Sequence, residues 1–243
     1  MAESGQLGDD IQGRARVGHA IVAAFNEGDR IEATVVGLKA AFPGVVVVVA
    51  DDGSTDDTRE VAERAGAVVV GDGKNRGKGG AASMAADRVL TDGAPAQGAV
   101  VLLADADLAD SAGRLAPLAN AVATGDADIS VAMFASRVGG GFGIALGFAH
   151  WAIEKRSGFD AQAPISGQRG LTYSALRVVD PFHAGFGMEI GMTVDAVRAG
   201  LTVREIELDL AHRATGKTLR GFLHRGKQMK DFIKVYRATG RRK

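Results

Sequence analysis

The sequence predicts an α/β protein built on one mostly parallel sheet flanked by helices. Short apolar runs rich in branched residues, at 19–25, 45–50, 100–108 and 128–134, read as buried strands. Segments with helical spacing alternate with them through residue 134, an order that calls for parallel pairing and right-handed crossovers. Three of these runs lead into acidic clusters, at the strand ends where open α/β sheets bind their ligands.

Each element has its own signal. Residues 1–17 are polar and Gly-rich without periodicity, and read as a disordered arm. After the first strand, Ile31, Val35, Leu38 and Phe42 share one helix face, and Pro43-Gly44 ends that helix. The second strand runs into DDGSTDD (51–57), where Gly53 permits a tight turn and Ser54 or Thr55 is placed to cap a helix running to about residue 65. A short strand at 67–70 follows, and NRGKGG (75–80) opens the next helix, to about residue 90. The strand at 100–108 carries Asp105 and Asp107 with Ala106 between them, and a helix at 112–123 leads to the fifth strand. Beyond it the pattern loosens: a Gly-rich loop at 139–143, a helix at 144–156, loop then strand at 164–172, a helix at 188–199 and a strand at 201–208. No linker divides residues 18–243, which read as one domain: a nucleotide-binding half at 18–134, an acceptor half at 135–210 and a basic tail at 211–243.

Composition bounds the function. There is no cysteine, which excludes disulfides and thiolate metal sites. No apolar run reaches the ~18 residues of a membrane span, and the N-terminus lacks the basic-then-apolar order of a signal peptide. The expectation is a cytoplasmic protein, without nucleic acid as a partner. A P-loop is excluded because no GxxxxGK[ST] is present. A dinucleotide site is excluded because Asn26-Glu27, not Gly-x-Gly, follows the first strand.

Four motifs sit at successive strand ends: AFNE (24–27), DDGSTD (51–56), NRGKGGA (75–81) and DADL (105–108). Two acids one residue apart at a strand end suit a hard divalent cation and the phosphates it carries. In this order and spacing the four motifs resemble the nucleotide-sugar glycosyltransferases of family 2. The resemblance implies the GT-A (nucleotide-diphospho-sugar transferase) fold, a Rossmann-like sheet. It implies that Phe25, Glu27, Asp51, Asp52, Lys78, Asp105 and Ala106 bind the donor nucleotide of a UDP- or GDP-sugar. The glycines around Lys78 would let the backbone approach that ligand. Asp107 would hold Mg2+ or Mn2+ and so serve catalysis, stabilising the leaving diphosphate.

In the second half, PISGQRG (164–170) and GFGMEIGMTVD (185–195) resemble segments of glucosyl-3-phosphoglycerate synthases. This implies that Glu189 is catalytic and faces the donor sugar, that Gly167 and Arg169 lie near a phosphorylated acceptor, and that His212 (or His224) joins Asp107 at the metal. Arg suits a phosphate through its bidentate fork. The acceptor is then a small phosphorylated molecule or a lipid phosphate. Inversion would need a base on the acceptor side, with Glu189 and Asp180 as candidates. A non-catalytic nucleotide-sugar binder is the alternative class.

Charge is uneven. Residues 211–243 hold 11 Lys plus Arg against the single acid Asp231, a net +10, so the remainder carries −10. Phe222, Met229, Ile233 and Tyr236 share one face of a helix predicted over 221–236. Such a basic amphipathic helix suits peripheral contact with an anionic membrane, packing on the acidic body, or a homodimer contact.

Overall fold

The computed structural model describes residues 15–134, 143–208 and 234–240. Its strands are β1 Val17–Ala24, β2 Val46–Asp51, β3 Val68–Val70, β4 Val100–Asp105, β5 Ile129–Phe134, β6 Arg169–Thr172 and β7 Val203–Leu208. Its helices are α1 Ile31–Ala41, α2 Thr58–Arg64, α3 Lys78–Asp92, α4 Ala116–Ala123, α5 Gly143–Ser157, α6 Tyr173–Val179 and α7 Met188–Arg198. The strands form a single sheet in the order β3-β2-β1-β4-β6-β5-β7. This is the GT-A architecture that the motif order implies.

The register explains why the motifs meet. β1 pairs in parallel with β2 and β4, Ala24 lying opposite Asp51 and Ala23 opposite Asp105. Three neighbouring strands therefore end at one level, and the acids that follow them share one edge. β6 alone runs antiparallel, between β4 and β5, with Arg169 opposite both Leu103 and Val131. A reversed strand begins where its neighbours end, so the loop before β6 arrives at the same edge.

Both faces of the sheet are covered, which accounts for strands that are apolar along their whole length. On one face Ile31, Val35 and Leu38 of α1 and Leu118 and Val122 of α4 pack against Val47, Val49, Leu102 and Ala104. On the other, α3 presents Ala81, Ala82, Ala85, Ala86 and Val89 to Ile21, Val48, Val101 and Leu103, joined by residues of α6 and α7. Alanine side chains let α3 lie close to the sheet. Each fully buried Val, Leu or Ile on these faces contributes roughly 1.5–3 kcal/mol.

Four expectations need correction. Residues 15–17 are not part of a disordered arm: Ala15 N donates to Asn120 Oδ1 at 3.1 Å, Val100 N donates to Arg16 O at 2.9 Å, and Val17 begins β1. The DxD strand stops at Asp105, and a 3₁₀ segment at Ala109–Leu115 precedes α4. Pro117 sits in the first turn of α4, where its missing N–H costs nothing. Ser54 and Thr55 do not cap α2, because their side chains are turned to the first loop. The seven residues of α6 are the fourth departure: its N-cap Thr172 accepts from Ala175 N at 3.0 Å, and β6 passes straight into it.

A third cluster joins α5 and α7, with Ala149, Ala152, Ile153, Ile190 and Val194 at its centre. The end of the basic tail packs there. Residues 234–239 are helical, and Val235 is buried in this cluster. The Tyr236 ring lies 4.9 Å from Trp151 and beneath the Arg156 guanidinium at 3.8 Å. Residues 1–14, 135–142, 209–233 (with His212 and His224) and 241–243 lie outside the described residues.

Asp180 ends α6 and packs against α3, beside Asp87 and Ser83. Burial and the neighbouring Asp87 raise its carboxyl to about 6, with a hydrogen bond from Ser83 opposing. Among the described residues its Oδ1 is buried without a hydrogen-bond partner. The folded state thus holds a proton that an unfolded aspartate releases near pH ~4, and stability contributed below that pH is lost as pH rises through about 6. Asp180→Asn is expected to raise the thermal midpoint by a few degrees over wild type at about pH 7.5, and to change it little at about pH 4. Melts of both proteins at the two pH values check this, and an equal shift at both would contradict it.

Candidate active site

The first two loops are laced together. Asn26, with φ of 56°, donates its N–H to Ser54 Oγ at 3.0 Å, and its Oδ1 accepts from Thr55 N at 2.8 Å. Glu27 N donates to Thr58 Oγ1 at 2.8 Å, and Gly28 N to Asp56 Oδ2 at 3.2 Å. DDGSTDD therefore organises AFNE as well as its own turn. Asp51 is engaged within the protein: it accepts from Ser54 N at 3.0 Å and pairs with Arg59 at 3.3 Å, with 3% exposure. It shapes the turn rather than presenting an open carboxylate. Asp52 Oδ1 accepts from Arg76 N at 2.6 Å and so ties this loop to NRGKGG. Phe25 is 46% exposed, an open ring beside these carboxylates.

Lys78 opens α3 and joins the two halves of the chain. Its Nζ donates to Asp105 Oδ1 at 2.9 Å and to Glu189 Oε1 at 2.8 Å. Burial alone would depress this ammonium, but the two carboxylates outweigh it and hold Lys78 well above the ordinary lysine value. The glycine beside it serves the chain rather than a ligand, contrary to expectation. A Cβ on Gly79 would lie 1.9 Å from His183 O. Gly79 thus lets the 183–187 segment rest on α3 and deliver Glu189 to Lys78. His183 is fixed there by Asp195, at 2.9 Å.

The loop before β6 completes the cluster. Gln168 Nε2 donates to Asp105 Oδ2 at 2.7 Å. A Cβ on Gly167 would lie 2.7 Å from both Asp105 Oδ1 and Lys78 Nζ, so a side chain there would displace one end of that ion pair. Arg169 does not offer an open fork to an acceptor. It is 1% exposed and donates to Ser166 O at 3.0 Å, Thr193 Oγ1 at 3.0 Å and Glu189 O at 3.1 Å. Burial lowers its guanidinium to about 10, with Glu189 and Glu205 opposing, so it stays charged at neutral pH. It binds the loop to the first turn of α7 and positions Glu189. Asp180, a candidate base by sequence, stands against Asp87, more than two helical turns along α3 from Lys78.

Asp107 is exposed, in the turn that follows β4. Glu27 is near enough to sense it. Burial raises the Glu27 carboxyl, Arg30 opposes that, and Asp107 adds to it. Ala106 is buried beneath the turn. Thr34 of α1, fully buried, holds the turn by donating to Ala106 O at 2.7 Å and accepting from Ala109 N at 3.0 Å. Ala109 has φ of 43°, a left-handed conformation that an alanine keeps only when its surroundings impose it. Among the described residues no three His, Asp or Glu side chains gather to hold a metal by themselves. Of the two residues expected to hold a metal, Asp107 stands in this turn and His212 lies outside the described residues.

Carboxylates and one lysine at the carboxyl edge of this sheet, beside an exposed DxD turn, define the nucleotide-diphospho-sugar transferase class of α/β proteins. Residues 19–178 match the family model described as Glycosyl transferase family 2, and the chain belongs to that family of glycosyltransferases. Among solved structures, it is similar to glucosyl-3-phosphoglycerate synthase from Mycobacterium tuberculosis in complex with Mn2+, UDP and phosphoglyceric acid. The two are 24% identical, with 92% of this chain and 78% of that one covered at a TM-score of 0.74. The same synthase with Mn2+, UDP-glucose and phosphoglyceric acid gives 22% identity, 92% and 79% coverage and a TM-score of 0.72. Its complex with Mg2+ and UDP gives 23%, 92%, 79% and 0.72. These likenesses establish the fold. No curated protein matches the chain in sequence.

Thr34 yields a direct test of how the DxD turn is held. Thr34→Val keeps the shape but leaves the Ala106 carbonyl and the Ala109 N–H without their partner, a loss of about 1–3 kcal/mol. The expected result is a thermal midpoint lower by several degrees, with Thr34→Ser keeping most of the stability. An unchanged midpoint in Thr34→Val, or a larger loss in Thr34→Ser than in Thr34→Val, would show that the hydroxyl does not hold the turn.

Proposed function

We propose that this glycosyltransferase moves a hexosyl group from a UDP- or GDP-hexose to a small phosphorylated acceptor, with Mg2+ or Mn2+ as cofactor. The observation that carries the reading is the Asp105–Lys78–Glu189 cluster beside the exposed Asp107. Support for the donor and acceptor classes comes from the similar synthase, solved with UDP-glucose, Mn2+ and phosphoglyceric acid and also with glycerol 3-phosphate.

The residues fit a divalent cation of this kind. Mg2+ is commonly held by one or two carboxylates together with substrate phosphates, rather than by a cage of protein ligands. Asp107 provides part of that incomplete oxygen set, and His212 is proposed as a further ligand. The bound cation supplies Lewis-acid stabilisation of the leaving diphosphate. Glu27 and Asp52 accept hydrogen bonds from the nucleoside, against which Phe25 lays its ring. Lys78 lends positive charge where the diphosphate departs. Glu189, paired with Lys78 and set in place by Arg169, accepts from a hydroxyl of the donor sugar. Gly167, closed over the Asp105–Lys78 pair, borders the acceptor in this reading.

A polyprenyl-phosphate acceptor at the membrane surface is the second reading, suggested by the +10 tail. Against it, the described end of that tail packs on α5 through Val235 and Tyr236. No helix among the described residues is long and apolar enough to cross a membrane.

Asp107→Ala is expected to lower metal-dependent release of UDP or GDP from the cognate sugar nucleotide by at least ~100-fold, a loss on the scale of removing a group that stabilises transition-state charge. A coupled nucleoside-diphosphate assay across UDP- and GDP-hexoses, with and without Mg2+, measures this. Undiminished turnover in the variant would remove Asp107 from the site. Binding without turnover in wild type would favour a nucleotide-sugar-binding protein.

A further inference from the structure

We propose that Gln168 is a positioning residue that acts through Asp105, fixing that carboxylate in the orientation from which it meets the donor. The inference rests on the donor reading above. Gln168 immediately precedes β6, at the edge where the reversed strand enters beside the end of β4. Its side chain is 1% exposed, and its backbone carbonyl accepts from Ala132 N at 3.0 Å, which anchors it to β5. From there Nε2 donates to Asp105 Oδ2 at 2.7 Å while Lys78 Nζ holds Oδ1 at 2.9 Å. With both oxygens gripped from different elements, the carboxylate cannot turn about its own axis without breaking a bond.

The other half of the amide argues against a role in packing. Among the described residues Gln168 Oε1 is buried and finds no hydrogen-bond partner. A half-satisfied buried amide is less stable than an apolar side chain of the same shape. What glutamine adds at this position over methionine is therefore the N–H aimed at Asp105. Gly167 supports the same reading, because its missing Cβ opens the space in which Gln168, Asp105 and Lys78 meet.

Gln168→Met and Asp105→Ala, alone and combined, test the proposal in two measurements: calorimetric titration with UDP in the presence of Mn2+, and thermal melts. Gln168→Met is expected to keep or raise the thermal midpoint and to weaken UDP binding about 10- to 100-fold, the usual size of a lost supporting hydrogen bond around a metal or substrate ligand. In the Asp105→Ala background it should weaken binding no further, since effects carried through one residue do not add. In the melts the double variant should be more stable than Asp105→Ala alone, which buries an amide with no partner. Additive losses in binding, or a lowered midpoint with unchanged binding, would make Gln168 a structural residue and overturn the proposal. Wild-type protein that binds no UDP with Mn2+ would overturn the donor reading instead. The melts then decide alone, and additive midpoints would overturn the Gln168–Asp105 link.

Discussion

The site depends on one cation between two carboxylates. Lys78 lies 2.9 Å from Asp105, at the end of β4, and 2.8 Å from Glu189, at the start of α7. Glu189 is 8% exposed and Asp105 30%, so neither is fully hydrated. Without Lys78 the two carboxylates would repel each other across the site. With it, each attraction is on the order of 5 kcal/mol before desolvation is subtracted, at an effective dielectric of about 20. Lys78 thereby sets the separation of the two acids.

Much of the fold can be understood as what brings these three side chains together. The alanine face of α3 lets the helix lie close against the sheet, so that its first residue reaches the end of β4. Gly79 admits the His183 carbonyl, and with it the segment that leads into α7. The reversal of β6 brings residues 166–168 to an edge otherwise made by parallel strands. Arg169 then ties that loop to Glu189 and Thr193. On the far side of the sheet Thr34 holds the turn that displays Asp107, which leaves Asp107 exposed while its neighbours are buried or paired.

The strand ends and their acids were legible in the sequence because hydrophobic runs and acidic turns are local patterns. AFNE, DDGSTD, NRGKGGA and DADL stand at one edge because the register ends these parallel strands at one level. What each polar group faces was less legible, since that is decided by residues distant in the chain. Arg169 looks like an acceptor fork until its partners, up to 24 positions away, are known. Asp51 looks open until Arg59 is seen against it. Gly79 reads as a ligand-facing glycine, yet its space is filled by a residue more than 100 positions on. The short helix α6 carries too few turns for a periodic signal. Gln168 had a visible cue in the polar SGQR run before a strand, but nothing local ties it to Asp105, 63 positions earlier.

The central claim is that the carboxyl edge of this sheet binds a nucleoside diphosphate and its cation, with Asp107 on the metal and Lys78 over the phosphates. The most direct measurement is a crystal structure of the protein with UDP and Mn2+, with anomalous data collected at the manganese edge. The account predicts one manganese peak about 2 Å from an Asp107 oxygen, bridged to diphosphate oxygens, with the base near Phe25, Glu27 and Asp52. A manganese peak away from Asp107, or a nucleotide bound elsewhere on the chain, would contradict it.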